Sequence, residues 1–238
     1  MNESNKYMNQ TNNQKIYIVI PAFNEGKIIK KTITSLQKAG YHNIIIVDDG
    51  SSDNTCDEAK STNAEVLCHI INRGQGASLL TGIQYTTKTY NPDIIVTFDS
   101  DGQHRPEDIK ALIQPIINDS ADIVLGSRFL NTKTKVPPVR KIILKAGIFF
   151  TNITSRVKLT DTHNGLRALG PKAMTSIKIP HRGMEHASDI IDSISKNKLR
   201  YQEVPVKILY TDYSINKGQA SIGFIKMGIK IILHKILS

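Results

Sequence analysis

The strongest constraint in this chain is a rhythm of short aliphatic runs that stop abruptly. Ile16 to Ile20 ends at Pro21, Ile44 to Val47 at Asp48 and Asp49, and Ile94 to Phe98 at Asp99. Runs this short and apolar at almost every position are strands buried on both faces, the habit of parallel sheets. Between the first two, Ile28, Ile29, Ile33 and Leu36 recur at helical spacing and stop at Gly40, completing a strand, helix, strand unit. The pattern continues with a helix opening over Asp53 to Ala59, a strand over Glu65 to Ile70 and a helix from Ala77 to Tyr85. A helix from about Pro106 to Ile117 then leads to a strand at Ile123 to Leu125. The expected fold class is α/β, a doubly wound, mostly parallel sheet flanked by helices.

Such sheets bind ligands at the carboxyl ends of their strands. That edge collects Pro21, Ala22, Asn24 and Glu25, then Asp48, Asp49 and Ser51, then Asp99 and Asp101. Beyond Gly126 the rhythm gives way to Pro137, Pro138 and a basic, apolar stretch from Arg140 to Lys158, which marks a second functional region. With 31 Lys and Arg against 21 Asp and Glu, the chain favours phosphate-rich partners. Nucleic acid is not among those expected, because the chain has no Trp and no RNA- or DNA-binding motif. Cys56 and Cys68 are too far apart for a CxxC motif and read as free buried thiols in a reducing compartment. Residues 1–15, polar and without the apolar core of a signal peptide, read as a disordered leader.

Asp99, Ser100, Asp101, Gly102 and Gln103 follow directly on an apolar strand. Two carboxylates so spaced on a turning chain suit a hard divalent ion, Mg²⁺ or Mn²⁺, with a position left open for phosphate oxygens. Elsewhere the same pattern is a solvated turn. Val47 to Asp53 also follows a strand: capping of a helix accounts for Ser52 or Asp53, whereas Asp48 and Asp49 together can bond a base edge or ribose hydroxyls. Asn72 to Ala77 places glycines at a strand-to-helix turn, either a plain tight turn or a phosphate or base contact. It is neither the dinucleotide fingerprint nor a Walker loop.

In order along the chain, IVIPAFNE, VDDGSSDNT, NRGQGAS, FDSDGQH and LGSRF resemble the family 2 glycosyltransferases. Within that family Gln103 and His104, Gly126 to Arg128, and Asp161 to Arg167 are similar to polyprenyl-phosphate sugar synthases of the dolichyl-phosphate mannosyltransferase kind. The resemblance implies one GT-A, Rossmann-like domain. Residues 16–130 would form its nucleotide-sugar and metal half and 131–220 its acceptor half, with an amphipathic C-terminal helix at 221–238.

It also implies roles. Pro21, Ala22, Asn24, Glu25, Asp48, Asp49 and Ser100 would hold the nucleoside of a UDP or GDP sugar, with Gly74 and Gln75 against the base. Asp99, Asp101 and Gln103 would surround the metal. Ser127, Arg128 and Arg140 would take the acceptor phosphate, and Asp101, Arg128 and Glu185 would carry the chemistry. The chain departs from the pattern at Gln75, where relatives often carry Lys, and at Tyr210 to Tyr213, where a basic residue is missing and Lys217 is the candidate substitute.

The family also implies inversion at the anomeric carbon. A lipid phosphate acceptor is already anionic and needs no strong base. A sugar hydroxyl, as in extension of a surface polysaccharide or glycolipid, needs a carboxylate, and Glu185 is the candidate. Ile222 to Leu237 is shorter than a membrane span and interleaves Lys226, Lys230 and His234 with aliphatic residues, as Arg140, Lys141 and Lys145 do with Ile142 to Phe150. Either an interfacial helix or an ordinary packed helix fits Ile222 to Leu237. The expected setting is cytoplasmic, peripheral on the inner face of a membrane, held there by surface attachment or by an integral membrane partner.

Overall fold

The computed structural model describes residues 14–130, 138–181, 183 and 185–209. Expectations for Lys217, the helix at 221–238 and most of the leader therefore lie outside the described residues. The chain opens with β1 (Ile16–Ala22), α1 (Ile29–Lys38), β2 (Ile44–Asp48), α2 (Thr55–Lys60), β3 (Glu65–Cys68), α3 (Gln75–Tyr90) and β4 (Ile94–Thr97). A 3₁₀ turn (Pro106–Asp108), α4 (Ile109–Ile117), β5 (Ile123–Ser127) and α5 (Pro138–Ser155) follow. The last elements are β6 (Arg167–Leu169), α6 (Pro171–Ser176), α7 (His186–Lys196) and β7 (Tyr201–Pro205).

The seven strands form one sheet in the order β3-β2-β1-β4-β6-β5-β7. All pairs are parallel except those of β6, which runs antiparallel to both β4 and β5. The expected mostly parallel α/β sheet is therefore present. Alternation along β1 assigns the two cores: Ile18 and Ile20 pack with Ile33, Leu36, Leu112 and Ile113 beneath α1 and α4. Val19 faces the other way, with Leu79, Ile83, Ile190 and Ile194 of α3 and α7.

Three features depart from the sequence reading. The third strand stops at Cys68 rather than Ile70, because its partner ends at the pair Asp48–Cys68; Ile70 is fully exposed. The two thiols are not buried: Cys68 ends this edge strand in the open, and Cys56 is half-buried on α2. The strand β6, only three residues long, gives no periodicity of its own, and its neighbours on both sides create it.

Gly82 on α3 lies against Val19 and Val47, and a Cβ there would run into Val19 Cγ1. In Gly82→Ala, a gain in helix propensity of about 1 kcal/mol meets an overpacking cost of about 1–3 kcal/mol. The expected outcome is a lower urea midpoint with an unchanged slope. A midpoint equal to or above wild type would contradict this packing.

Candidate active site

The antiparallel insertion of β6 builds the centre of the site. Its register pairs Thr97 with Arg167, so the segment leading into β6 crosses the carboxyl end of β4. The Thr97 hydroxyl donates to the Gly165 carbonyl at 2.6 Å. A Cβ on Gly165 would overlap both carboxylate oxygens of Asp99, so only glycine fits there. Asp99 also meets His104 Nε2 at 2.8 Å and accepts from Gln75 Nε2 at 3.5 Å. Asp101 accepts from the Gln103 N–H at 3.0 Å and from Gln103 Nε2 at 2.8 Å, across a turn in which Gly102 takes φ +72°. The Ser100 carbonyl, buried behind them, accepts from Thr32 Oγ1 at 3.1 Å.

Burial pushes the Asp99 carboxyl up, but the charge and hydrogen bond of His104, with His186 and Arg167 behind, hold it below its ordinary value. Asp101 moves the other way, raised by burial and by the Asp99 charge, with Glu25 adding to the effect. Two crowded carboxylates, one reluctant to ionise beside the other, are an all-oxygen donor set that fits a hard divalent cation.

Arg167 lies beneath this pair. It is 1% exposed, its Nε and Nη1 have no hydrogen-bond partner among the described residues, and its charge acts on Asp99 and Asp161. Burial lowers its pKa to about 10, so it remains a cation at neutral pH. Asp161 is already engaged by Arg128, whose Nε donates at 2.6 Å and whose backbone N–H donates at 3.1 Å. His163 and His186 are both pushed down to about 4, chiefly by burial, so two neutral imidazoles flank the guanidinium.

On the opposite side of the edge, the loops after β1 and β2 are knitted together. Asn24, at φ +53°, donates its N–H to Ser51 Oγ at 2.9 Å and accepts the Ser52 N–H at 2.9 Å. Asp53 accepts the N–H groups of Gly26 at 3.1 Å and Thr55 at 3.0 Å, and the buried Glu25 donates its N–H to Thr55 Oγ1 at 2.8 Å. Asp48 accepts from the Ser51 hydroxyl. Asp49 reaches across to the glycine loop, accepting the N–H groups of Arg73 at 2.9 Å and Gly74 at 2.7 Å, with His69 Nδ1 at 2.8 Å.

The family pattern of glycosyl transferase family 2 covers residues 17–174. This chain belongs to that family. It is 40% identical over 245 residues to the UDP-N-acetylglucosamine--dolichyl-phosphate N-acetylglucosaminyltransferase of Methanococcus voltae, spanning 93% of this chain and 96% of that one. It is 27% identical over 232 residues to the undecaprenyl-phosphate mannosyltransferase of Micrococcus luteus, spanning 90% and 94%. Among solved structures, glucosyl-3-phosphoglycerate synthase of Mycobacterium tuberculosis, in complex with Mn²⁺, UDP and glucosyl-3-phosphoglycerate, shares the fold. Its TM-score is 0.74 at 19% identity, over 97% of this chain and 83% of that one.

In this glycosyltransferase Pro21 and Ala22 pair with Val47 and Asp48, and these join Asn24, Glu25, Asp49, Gly74, Gln75, Ser100, Asp99, Asp101 and Gln103 along one sheet edge. Glu185 stands at the N-cap position of α7, without a side-chain capping bond, on a segment that packs over Gly76, where a Cβ would meet the His181 carbonyl. Ser127 is fully buried, its hydroxyl 2.6 Å from Thr160 Oγ1 and accepting the Phe129 N–H at 3.3 Å, so it fixes the strand end. Arg140 lies in the first turn of α5. Sequence reasoning placed Arg167 only within the acceptor-side segment Asp161 to Arg167, with no role of its own, and gave His186 none. The signal available was an arginine entering an otherwise apolar strand, RAL, and a histidine beside the chosen Glu185.

Burial raises the Asp49 carboxyl, but the bonds from His69, Arg73, Ser78 and Gly74 together hold it below its ordinary value of 3.8. Its stabilisation is therefore present above that value and lost as pH falls through the depressed folded value. Asp49→Asn is expected to cost about 1–3 kcal/mol at neutral pH and to flatten the acid limb of a stability-against-pH curve. Identical curves for variant and wild type would contradict this role.

Proposed function

We propose that this glycosyltransferase moves a hexose or N-acetylhexosamine from a UDP- or GDP-linked donor to a polyprenyl phosphate at the cytoplasmic face of a membrane. The observation that carries the reading is a buried guanidinium behind the acidic pair, that of Arg167, whose Nε and Nη1 have no hydrogen-bond partner among the described residues. An anion arriving there meets fixed positive charge in a poorly hydrated place, where electrostatic stabilisation is largest. Relatives named for lipid phosphate acceptors, matched almost end to end, support the same reading.

Asp99, Asp101 and Gln103 would hold Mg²⁺ or Mn²⁺. When bound, the ion supplies charge neutralisation for the departing nucleoside diphosphate. The remaining work falls to the chain. The loops carrying Pro21, Ala22, Asn24, Glu25 and Asp48 enclose the nucleoside with Ser100, while Asp49 holds Gly74 and Gln75 in place against the base. Arg128 and Arg167, with Arg140 and Lys217 as further candidates, set the acceptor phosphate in line with the anomeric carbon. The phosphate oxygen attacks as an anion opposite the leaving group, and the configuration inverts. Positioning and charge replace a general base.

The membrane setting is supported by α5. Lys141, Lys145, Phe149 and Ile153 follow one another at four-residue steps and all four are exposed, which gives a basic and apolar ridge. Among the described residues no helix is long and apolar enough to cross a membrane. An integral membrane partner fits a surface-bound enzyme whose product is a lipid. A hydroxyl acceptor is the second reading, favoured by the place of Glu185 over the glycine loop; Glu185 would then be the base.

One experiment separates the two. Wild type, Arg167→Met and Glu185→Gln are incubated with Mn²⁺, a panel of UDP and GDP sugars and undecaprenyl phosphate, and the lipid product is identified by mass. The expected result is a sugar-phosphate lipid from wild type, a loss of roughly 100-fold in kcat for Arg167→Met, and substantial activity in Glu185→Gln. A wild type that forms no sugar-phosphate lipid from any donor in the panel would contradict the phosphate acceptor and favour the hydroxyl.

A further inference from the structure

Cys56 and Cys68 are the chain's two cysteines, twelve positions apart, and the fold brings them together. Cys56 lies in the first turn of α2, and Cys68 is the last residue of β3. Asp48, paired with Cys68 across the β2–β3 ladder, completes the group. Both Sγ atoms and a carboxylate oxygen of Asp48 lie within 4.8 Å of one another. Asp48 is buried, Cys56 half-buried and Cys68 exposed, so the group is rooted in the fold and open to solvent on one side.

Two sulfurs and one oxygen converging from three elements, with an open side for water, match the needs of a four-coordinate thiophilic ion. The Asp99 and Asp101 site has only oxygens and selects differently. We propose that Cys56, Cys68 and Asp48 form a second cation site, for Zn²⁺ or a similar thiophilic divalent ion, at the back of the loop that follows β2. Binding converts both thiols to thiolates and releases two protons to water, with no change in oxidation state. Lys60, four residues on from Cys56 in α2, is exposed.

The site has a consequence for the neighbouring pocket. Asp48 also accepts the Ser51 hydroxyl, and Ser51 in turn accepts the Asn24 N–H. An ion that draws on the Asp48 carboxylate competes with this chain of bonds and loosens the turn around the nucleoside. That coupling rests on the nucleoside role proposed above for Asp48; the site itself does not.

The test uses reduced, full-length protein with Mg²⁺ in excess to fill the oxygen site. Co²⁺ is the probe, since its thiolate complexes absorb by sulfur-to-metal charge transfer and the chain has no other thiols. The expected result is a charge-transfer band that saturates at one ion per chain, is displaced by Zn²⁺, and needs more than about tenfold more Co²⁺ in Cys56→Ser and in Cys68→Ser. One equivalent of Zn²⁺ should then weaken UDP binding in wild type and leave Cys68→Ser unaffected. No band at one equivalent, a band unchanged in either variant, or one ion per two chains would overturn the site. A normal band with UDP affinity indifferent to Zn²⁺ would overturn only the coupling to Asp48.

Discussion

The contact on which the rest of this structure depends is the one between the Gly165 backbone and the Asp99 carboxylate. It exists because β6 enters the sheet antiparallel, between β4 and β5, and so starts at the edge where its parallel neighbours end. One topological choice thus delivers three things to one place: the acidic pair at the end of β4, the glycine that lets the next segment lie against it, and the guanidinium of Arg167 behind both. A side chain on Gly165 would have to displace the carboxylate itself. The geometry of the acids is therefore set by the backbone, before any ligand arrives.

Around that contact the charges are arranged at some cost to the fold. A buried arginine with two unpartnered nitrogens is several kcal/mol unfavourable unless opposite charge compensates it. Asp99 and Asp161 supply that compensation at neutral pH, and Arg128 shares Asp161. The crowding of Asp101 against Asp99 is a second unfavourable term, relieved when positive charge enters between them. The two terms describe a place where an incoming cation is favoured beside the acids and an incoming anion beside the guanidinium. The opposite side of the edge has the reverse character. Asn24 is tied to Ser51, and Asp49 to Gly74, by short hydrogen bonds that hold the loops after β1 and β2 and the glycine turn stiff.

Much of this was legible in the sequence, for a physical reason. Strands buried on both faces leave long aliphatic runs, and the parallel half of the sheet, with the acids that close β1, β2 and β4, could be read from Ile16 to Ile123. A glycine forced by the backbone also left a mark: Gly74, at φ +94°, stands in the turn read over Asn72 to Ala77. What could not be read was set by neighbours distant in the chain. Three residues of β6 carry no period, and the burial of Arg167 follows from the strands on either side. Cys56 and Cys68 looked unrelated by spacing because the β2–β3 register, not the sequence, brings them together. The roles of Asp48 and Asp49 were read as a pair, yet the fold separates them: Asp48 turns toward Ser51, and Asp49 is spent on the glycine loop.

The central claim is that Asp99 and Asp101 bind a divalent cation that in turn holds the nucleoside diphosphate. Calorimetric titration of UDP into wild type and into Asp99→Asn/Asp101→Asn, with Mn²⁺ and with excess chelator, tests it most directly. Linkage between two ligands of one site predicts that Mn²⁺ tightens UDP binding to wild type by roughly 5- to 150-fold, and that the double variant binds weakly and equally in both conditions. A double variant that binds UDP in chelator as tightly as wild type does in Mn²⁺ would contradict the account.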